Sequence, residues 1–415
     1  MKKYFKLFEE VVLIPNINGK GALYNLLTGN VYELSVEQTK CLIYLENGGS
    51  IEEFCTKYIM SDDYLEDYLQ LLIEESLGFF SNKEEFVPKL HHTDKLLKQT
   101  SIKVPPTVAK AFIVLENDCH QECDYCDSKY LRQYGCLGCF RQKKRGMKEE
   151  TSIIQYISFL KYMKKVSAEK IYFTGGDLLM KWSQNKLIIE EAVHLGFKEI
   201  FIIFGGKHEI PQEIITYLSS HNIVPIFQVI VDEHGNIENS NLITFANKNS
   251  YFCILFKNHN PRLIVDSANK IQRDYNIKAM FIDRLIKLED VKPDDYEFLR
   301  PKRQTSIADF SYSLEYNKCL NGTISLNTNC EILVCPRLKE TSVGHIDKLY
   351  ECLSEDNAQL YWELTKDKIE PCVNCHLRYI CGDCRFLEFK LSHNLYTTIN
   401  CECTVLDKLG GSNPT

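Results

Sequence analysis

The most informative stretch of this chain is a run of eight residues with three thiols, Cys119-His120-Gln121-Glu122-Cys123-Asp124-Tyr125-Cys126. Protein-bound [4Fe–4S] clusters normally take four thiolates, so a compact group of three leaves one iron open to a small molecule. With 18 Cys among 415 residues, chance would produce roughly 0.03 triplets of this spacing. The triplet therefore predicts a reactive cluster. The alternative is a zinc knuckle that is completed by His120 or by a distant Cys.

Six apolar runs separated by helical patterns follow between residues 108 and 300. They are 111–115, 170–174, 199–204, 224–231, 252–256 and 279–282. Such alternation predicts a parallel (β/α) architecture. The first run directly precedes the cysteine triplet, and the second ends in Thr174-Gly175-Gly176-Asp177. Because ligands bind beyond the carboxyl ends of parallel strands, we expect both motifs at the same edge of the sheet.

The triplet resembles the signature of the radical S-adenosylmethionine (SAM) enzymes, in which an aromatic residue precedes the last cysteine, as Tyr125 does here. The resemblance implies an α/β fold with a partial (β/α)6 TIM-like barrel over residues 108–305. It also implies that Cys119, Cys123 and Cys126 hold a SAM-binding [4Fe–4S] cluster.

The glycine motif extends this resemblance. In the family, a Gly-Gly-Glu after the second strand binds the amino group of the methionine moiety of SAM. Here Asp177 replaces the glutamate, which keeps the charge and shortens the reach. The expected SAM-binding residues are therefore Tyr125, Gly175, Gly176 and Asp177.

The last hundred residues carry a series of cysteines that resembles the SPASM domain of radical SAM peptide maturases, which would cover residues 306–415. The resemblance implies two auxiliary [4Fe–4S] clusters. The first would take Cys319, Cys335 and Cys384, with Cys330, which stands where the family has a glycine, as a candidate fourth ligand. The second would take Cys372, Cys375, Cys381 and either Cys401 or Cys403. Two structural zinc sites are the alternative, since paired cysteines of this spacing also serve zinc.

Cys136-Leu137-Gly138-Cys139 lies ten residues beyond the triplet, in an insertion that ends with a basic run at 141–145. It is an extra metal or redox pair, a lid near the substrate, a loop-stabilising pair or a local zinc site, and the sequence leaves these readings open. Four cysteines stand alone and are expected to be small buried hydrophobic residues: Cys41, Cys55, Cys253 and Cys352.

Residues 1–90 predict a small separate domain. Two strand-like runs flank Thr28-Gly29-Asn30, and helices are expected after Ser35, Ser50 and Ser61. This winged-helix-like pattern resembles the peptide-recognition module related to the chaperone PqqD, in which a leader peptide adds a strand to the sheet edge. A plain interdomain or dimerisation module is the alternative. Residues 91–107 are expected to be a linker.

Taken together, these resemblances imply a maturase of a ribosomally made precursor peptide. Reductive cleavage of SAM would give methionine and a 5′-deoxyadenosyl radical that abstracts a hydrogen from the peptide, with flavodoxin or ferredoxin as electron donor. We expect a thioether between a Cys sulfur and a carbon. The alternatives are a carbon–carbon crosslink, formylglycine formation on sulfatases and a non-catalytic zinc-bearing peptide carrier. No catalytic acid or base is identified.

Composition limits the other possibilities. Residues 1–90 hold 8 Lys/Arg against 15 Asp/Glu, which accounts for the net charge of −7, so the chain lacks the basic footprint of a nucleic-acid binder. No apolar stretch approaches the length of a membrane span, and the N-terminus does not resemble a signal peptide. Clustered cysteines in such a chain indicate metal ligands in a reducing compartment, so we expect a cytoplasmic protein.

Overall fold

The computed structural model describes residues 2–59, 61–90, 108–121, 123, 130–132, 135–140, 150–205, 209–238, 240–245, 249–258, 260–287, 304–354 and 356–398. The predicted linker at 91–107 lies outside these residues. So do four of the predicted site residues: Tyr125, Cys126, Cys401 and Cys403.

The N-terminal segment forms a small domain with its own apolar core. Its strands are β1 (Tyr4–Leu7), β2 (Val11–Pro15), β3 (Gly21–Asn25), β4 (Val31–Leu34) and β5 (Gly78–Ser81), and its helices are α1 (Val36–Glu46), α2 (Ile51–Tyr58) and α3 (Asp62–Glu74). The predicted hairpin is confirmed, because β3 pairs antiparallel with β4. The three predicted helix starts are also confirmed, and the side chains of Ser35 and Ser50 form capping boxes there.

The middle of the chain alternates between strands and helices. Its strands are β6 (Lys110–Glu116), β7 (Tyr130–Leu131), β8 (Lys170–Gly175), β9 (Glu199–Phe204), β10 (Ile223–Val231), β11 (Tyr251–Phe256), β12 (Met280–Arg284) and β13 (Ile286–Lys287). Its helices are α4 (Ile153–Lys165), α5 (Trp182–His194), α6 (Gln212–Ser220), α7 (Ser240–Ile243) and α8 (Pro261–Asp274). The six predicted strands pair in parallel in the order β6-β8-β9-β10-β11-β12, which confirms the predicted parallel architecture.

The C-terminal segment adds to the same sheet. Its helices are α9 (Ile307–Glu315), α10 (Leu349–Cys352), α11 (Ala358–Trp362) and α12 (Arg385–Ser392), and its strands are β14 (Thr323–Leu326), β15 (Glu331–Leu333) and β16 (Ser342–His345). β14 pairs in parallel with β6, and β15 and β16 follow antiparallel, which makes a mixed sheet of nine strands. The sheet and its main core therefore continue beyond residue 305, the predicted end of the barrel.

The two faces of this sheet have different neighbours, because successive side chains of a strand point to opposite faces. On β8, Ile171 and Phe173 belong to the large core shared with the helices. Tyr172 lies on the opposite face, where its ring stacks between those of Phe112 and Phe201 with centroid distances of 4.7 and 4.6 Å. Aromatic and β-branched residues thus cover both faces, as is typical of a parallel sheet.

The N-terminal domain rests on the C-terminal segment. Tyr24 of β3 packs against Phe310 of α9 and against Tyr379, which lies within the cysteine-rich region. Thr305 also donates its backbone N–H to the backbone oxygen of Gly29, in the turn between β3 and β4. Among the described residues, no helix is both long and apolar enough to cross a membrane.

Candidate metal centres and cofactor site

The first cysteine loop leaves the sheet at the carboxyl end of β6. Cys119 follows this strand by three residues and is partly buried. Cys123 packs against an apolar group that includes Ile230 and Leu255, near the carboxyl ends of β10 and β11. Both described members of the triplet therefore lie at the edge of the sheet where the sequence predicts them.

The Gly-Gly-Asp turn after β8 lies directly against this loop. The backbone N–H groups of Gly176 and Asp177 donate to the backbone oxygens of Glu116 and Asp118, at 2.7 and 3.0 Å. A Cβ on Gly176 would overlap the Asp118 oxygen and lie 3.1 Å from the Cβ of Cys119. Only glycine allows such a close backbone approach. The structure therefore brings the two predicted motifs into contact.

A buried carboxylate shapes the start of the cysteine loop. Oε1 of Glu116 accepts the backbone N–H groups of Asn117 and Asp118 at 2.9 and 3.0 Å. Its Oε2 lies 2.9 Å from Nζ of Lys181, and the resulting hydrogen bond raises the pKa of that ammonium group. Gly175, whose φ is +144°, packs its backbone against Glu116. Sequence reasoning missed Glu116, although a carboxylate at the end of an apolar strand was the available signal.

Three of the predicted C-terminal ligands come together. Cys335 belongs to the main core, and Cys319 and Cys384 pack against it. A hydrogen bond between the sulfurs of Cys319 and Cys384 raises the pKa of the Cys319 thiol and lowers that of the Cys384 thiol. Burial raises the pKa of Cys335 to about 12, and the neighbouring Cys384 contributes to this shift. Asn317 accepts the backbone N–H of Cys319 and donates to the carboxylate of Asp383, which joins the segments that carry these thiols.

Cys330 faces a different part of the structure. Its φ of +61° is in the left-handed region that favours glycine, and glycine is the residue that the resembled family has there. Its sulfur lies 3.4 Å from Oγ1 of Thr151 and 3.6 Å from Oε1 of Gln155, at the start of α4. The structure thus packs Cys330 against the beginning of this helix.

A second group surrounds residue 377. Sγ of Cys375 accepts the backbone N–H of Leu377 at 3.4 Å, and Sγ of Cys381 donates to the backbone oxygen of Leu377 at 3.5 Å. Cys372 precedes Cys375 in a single 3-10 turn and its backbone oxygen accepts the N–H of Cys375 at 2.9 Å. Thr398, the last described residue, donates to the backbone oxygen of Glu370, so the described chain ends beside this group.

A buried ionic network lies between the two C-terminal groups. Oδ1 of Asp383 accepts from Nε of Arg385 at 2.7 Å and from Nζ of Lys366 at 3.2 Å. All three side chains are buried. Burial alone would raise the pKa of Asp383, but the two cations lower it below its usual value. Because Asp383 directly precedes Cys384, this network fixes the backbone that presents the thiol. The sequence analysis missed this network, although the charged residues on both sides of Cys384 could have indicated it.

The insertion after the triplet covers the face of the sheet that is opposite the helices. Sγ of Cys139 donates to Oε1 of Gln228 at 3.1 Å, and Oγ1 of Thr174 donates to the backbone oxygen of Gly138 at 3.2 Å. Leu137 packs there on an apolar group that includes residues of β9 and β10. Residues 135–140 therefore pack on this face of the sheet.

The donor chemistry of these groups fits iron–sulfur clusters. Soft thiolates suit both iron–sulfur clusters and zinc. A single zinc ion draws its thiolates to about 2.3 Å from one point, whereas a [4Fe–4S] cluster places each thiolate on a different iron. Thiol groups of this kind therefore fit a cluster as well as a zinc ion.

Comparisons with known proteins gave likenesses in structure alone. No protein-family model matches the chain, and no curated protein sequence matches it. One similar solved structure is Streptococcus suis SuiB bound to S-adenosylmethionine, with 12% identity, a TM-score of 0.48, and coverage of 95% of this chain and 98% of that one. Another is coproporphyrinogen III oxidase (HemN) from Escherichia coli, described as a radical SAM enzyme, with 11% identity, a TM-score of 0.35, and coverage of 66% and 76%.

Proposed function

We propose that this chain is a radical SAM enzyme that modifies a ribosomally made precursor peptide. The observation that carries the proposal is the contact between Gly176 and the segment from Asp118 to Cys119, at the carboxyl edge of the parallel sheet. This contact supports the proposal because a thiol assigned to the cluster would then lie beside a glycine assigned to SAM. Cys119, Cys123 and Cys126 would hold the SAM-binding cluster, and Tyr125, Gly175, Gly176 and Asp177 would bind SAM.

The residues of the chain would position these groups. When bound, the cluster and SAM supply a 5′-deoxyadenosyl radical that removes a hydrogen atom from an unactivated carbon. Glu116 and Lys181 hold the backbone before Cys119, and the two glycines let the SAM-binding turn approach it. Asp177 is buried at the same edge, and its carboxylate would accept a hydrogen bond from the amino group of SAM. The insertion at 135–140 would exclude water from the face below.

The peptide would enter through the N-terminal domain. In its described part, β2 and β4 are the outer strands of a three-stranded antiparallel sheet, and a leader peptide would add a strand to one of these edges. The acidic character of residues 1–90 favours a leader with basic residues. The domain rests on the C-terminal cysteine segment, which favours delivery of the peptide core to the sheet edge nearby.

We further propose a thioether as the product. Joining a Cys sulfur to a carbon removes one hydrogen from each. One hydrogen atom passes to the 5′-deoxyadenosyl group, the thiol proton passes to solvent, and one electron passes to an acceptor. An auxiliary cluster on Cys319, Cys335 and Cys384 would accept this electron. A second cluster would take Cys372, Cys375, Cys381 and either Cys401 or Cys403, and flavodoxin or ferredoxin would supply the initial reducing electron.

The first test measures iron, sulfide and zinc per chain after strictly anaerobic purification. The proposal predicts about twelve irons, and about eight in the C119A/C123A/C126A variant. The Cys55→Ala variant, which removes a solitary buried thiol of the N-terminal domain, is the matched control and keeps the wild-type content. Zinc that persists without iron after reconstitution would contradict the proposal and leave a structural metal protein.

The second test measures chemistry. With SAM and dithionite, wild type is expected to release 5′-deoxyadenosine, and the triple variant is not. With a leader-bearing peptide that contains Cys, thioether formation lowers the peptide mass by two hydrogens and blocks alkylation of one Cys. The same mass loss with every Cys still alkylatable would indicate a carbon–carbon crosslink instead.

A further inference from the structure

We propose that Cys136 is the fourth cysteine ligand of the cluster held by Cys319, Cys335 and Cys384. The proposal rests on the iron–sulfur chemistry proposed above and assigns a role to the insertion, which the sequence leaves open. It replaces Cys330 with Cys136 in the ligand set of this cluster.

One arginine joins the segments that carry three of these thiols. Arg337 follows Cys335 by two residues, and its guanidinium lies 3.7 Å from the ring centroid of Phe386, two residues after Cys384. The same guanidinium packs against Gly135, where any Cβ would overlap it. Gly135 directly precedes Cys136 in one 3-10 turn. The turn that carries Cys136 is therefore held against the segments that carry Cys335 and Cys384.

The segment that carries Cys319 approaches the other three through β14. Lys110 at the start of β6 lies opposite Thr323 in the parallel pair β6–β14. Oγ1 of Thr323 donates to the backbone oxygen of Cys319 at 3.3 Å. Cys319 is in turn linked to Asp383, the neighbour of Cys384, through Asn317. The backbones of Cys319 and Cys384 are thus fixed to each other independently of the contact between their sulfurs.

Two cations lie on the segments that meet here. Lys110 stands at the start of β6, opposite Thr323, and Arg337 packs against Gly135 and Phe386. They would offset the negative charge of a four-thiolate cluster, which is one of the determinants of its reduction potential.

The other two candidate thiols face elsewhere. Cys139 donates its thiol to Gln228 on the face of the sheet that is opposite the helices. Cys330 contacts Thr151 and Gln155 at the start of α4.

The short segment between Cys136 and Phe140 also has a second attachment to the sheet, because Phe140 donates its backbone N–H to the backbone oxygen of Gly175 at 3.1 Å. A cluster ligated by Cys136 would therefore be tied through four residues to the SAM-binding turn.

The test uses full-length C119A/C123A/C126A as the parent. This variant lacks the thiols assigned to the SAM-binding cluster, so the open iron of that cluster cannot contribute to the spectrum. Cys136→Ala is added to this parent, with Cys139→Ala and Cys330→Gly as matched controls, the latter restoring the residue that the φ of position 330 favours. Each protein is reconstituted anaerobically and oxidised mildly. Iron per chain and the electron paramagnetic resonance (EPR) spectrum are then recorded.

The expected result is loss of about one iron of the parent's eight in the Cys136→Ala protein, with a new oxidised three-iron EPR signal. Both controls are expected to keep the parental spectrum. An unchanged spectrum for Cys136→Ala would overturn this inference alone, and a new signal in Cys330→Gly would assign the ligand to Cys330. A parent that holds zinc or no iron would instead contradict the proposed function.

A variant that does not fold does not prevent the test. Circular dichroism and thermal melting check the fold of each protein. If Cys136→Ala does not accumulate, Cys136→Ser replaces it, since it differs from wild type by one atom and retains a possible oxygen ligand. A changed EPR spectrum of the reduced cluster in Cys136→Ser supports the ligand role, and a spectrum identical to the parent's overturns it.

Discussion

The hydroxyl of Tyr24 donates a hydrogen bond of 2.7 Å to the backbone oxygen of His376, the residue that follows Cys375. Burial raises the pKa of Tyr24 well above its usual value, so this hydroxyl stays protonated and remains a donor. The rings of Tyr24 and Tyr379 each lie 5.1 Å from the ring of Phe310. The sheet assigned to the leader peptide is thereby fixed to the loop of the second cysteine group.

Tyr24→Phe is expected to lower the free energy of unfolding by about 1–3 kcal/mol, because the buried carbonyl of His376 loses its donor. Urea denaturation followed by circular dichroism measures the change. Tyr64→Phe is the control, since the side chain of Tyr64 is 70% exposed on α3 and its loss is expected to change stability by less than about 0.5 kcal/mol. Equal stability of the Tyr24 variant and wild type would show that this bond does not secure the domain.

Gly176→Ala is expected to abolish SAM binding and to reduce iron at the first site, because the new Cβ overlaps the backbone oxygen of Asp118. Isothermal titration of the anaerobic protein with SAM measures the loss. Gly196→Ala is the matched control, since a Cβ there meets nothing within 4 Å although its φ is +67°. Gly196→Ala is expected to lose only about 1 kcal/mol of stability from its local backbone conformation and to bind SAM normally. Normal SAM binding by Gly176→Ala would show that the turn at Gly176 does not form part of the SAM site.

Asp383→Asn is expected to destabilise the protein by about 3–5 kcal/mol, because the buried side chains of Lys366 and Arg385 would lose the carboxylate that they share. The melting temperature and the iron content should fall together, since Asp383 also orders the backbone before Cys384. Asp347→Asn is the control: its carboxylate pairs with His345 and is 71% exposed, so it contributes at most about 1 kcal/mol. A stable Asp383→Asn protein with full iron would contradict this role.

Cys41 is expected to resist iodoacetamide at pH 8.5 in the folded protein. Burial raises the pKa of its thiol to about 12, and Cys55 adds to the shift, so almost no thiolate forms at that pH. A raised thiol pKa contributes stability below the ordinary thiol value near 9, and this contribution is lost as the pH rises from about 9 to about 12. Peptide mass mapping checks the reactivity, with guanidinium-unfolded protein as the control. Rapid labelling of folded Cys41 would contradict its burial.

Much of the fold could be predicted from local patterns. The hairpin around Gly29, the capped helices after Ser35 and Ser50 and the six parallel strands all follow from turn chemistry, capping and apolar runs. The hairpin and the capped helices depend on interactions within a few residues, and each strand is marked by its own apolar run. The position of Gly176 at the same edge of the sheet as the cysteine loop was expected as well, because parallel strands place their carboxyl ends at one edge.

Other features could not be predicted because they depend on how distant segments pack. The addition of β14 to β6 carries the sheet past residue 305, where the resemblance of the cysteine series to a SPASM domain implies a further domain. Pairing between strands about 200 residues apart leaves no periodic signal in either strand. Glu116 and Lys181 are distant in the chain and pair only once the fold brings them together, and Asp383 with Arg385 is strengthened by burial, so the sequence analysis missed both pairs.

The sequence by itself determined where the candidate site residues lie along the chain: thiols at fixed spacing, glycines after a strand, and parallel strands whose carboxyl ends share one edge. Only the tertiary structure decided which thiols become neighbours. Cys136 and Cys384 are about 250 residues apart in the chain, and their segments meet because Arg337 packs between Gly135 and Phe386. Such a meeting is fixed by the shape and charge of the whole core, which no short stretch of sequence encodes.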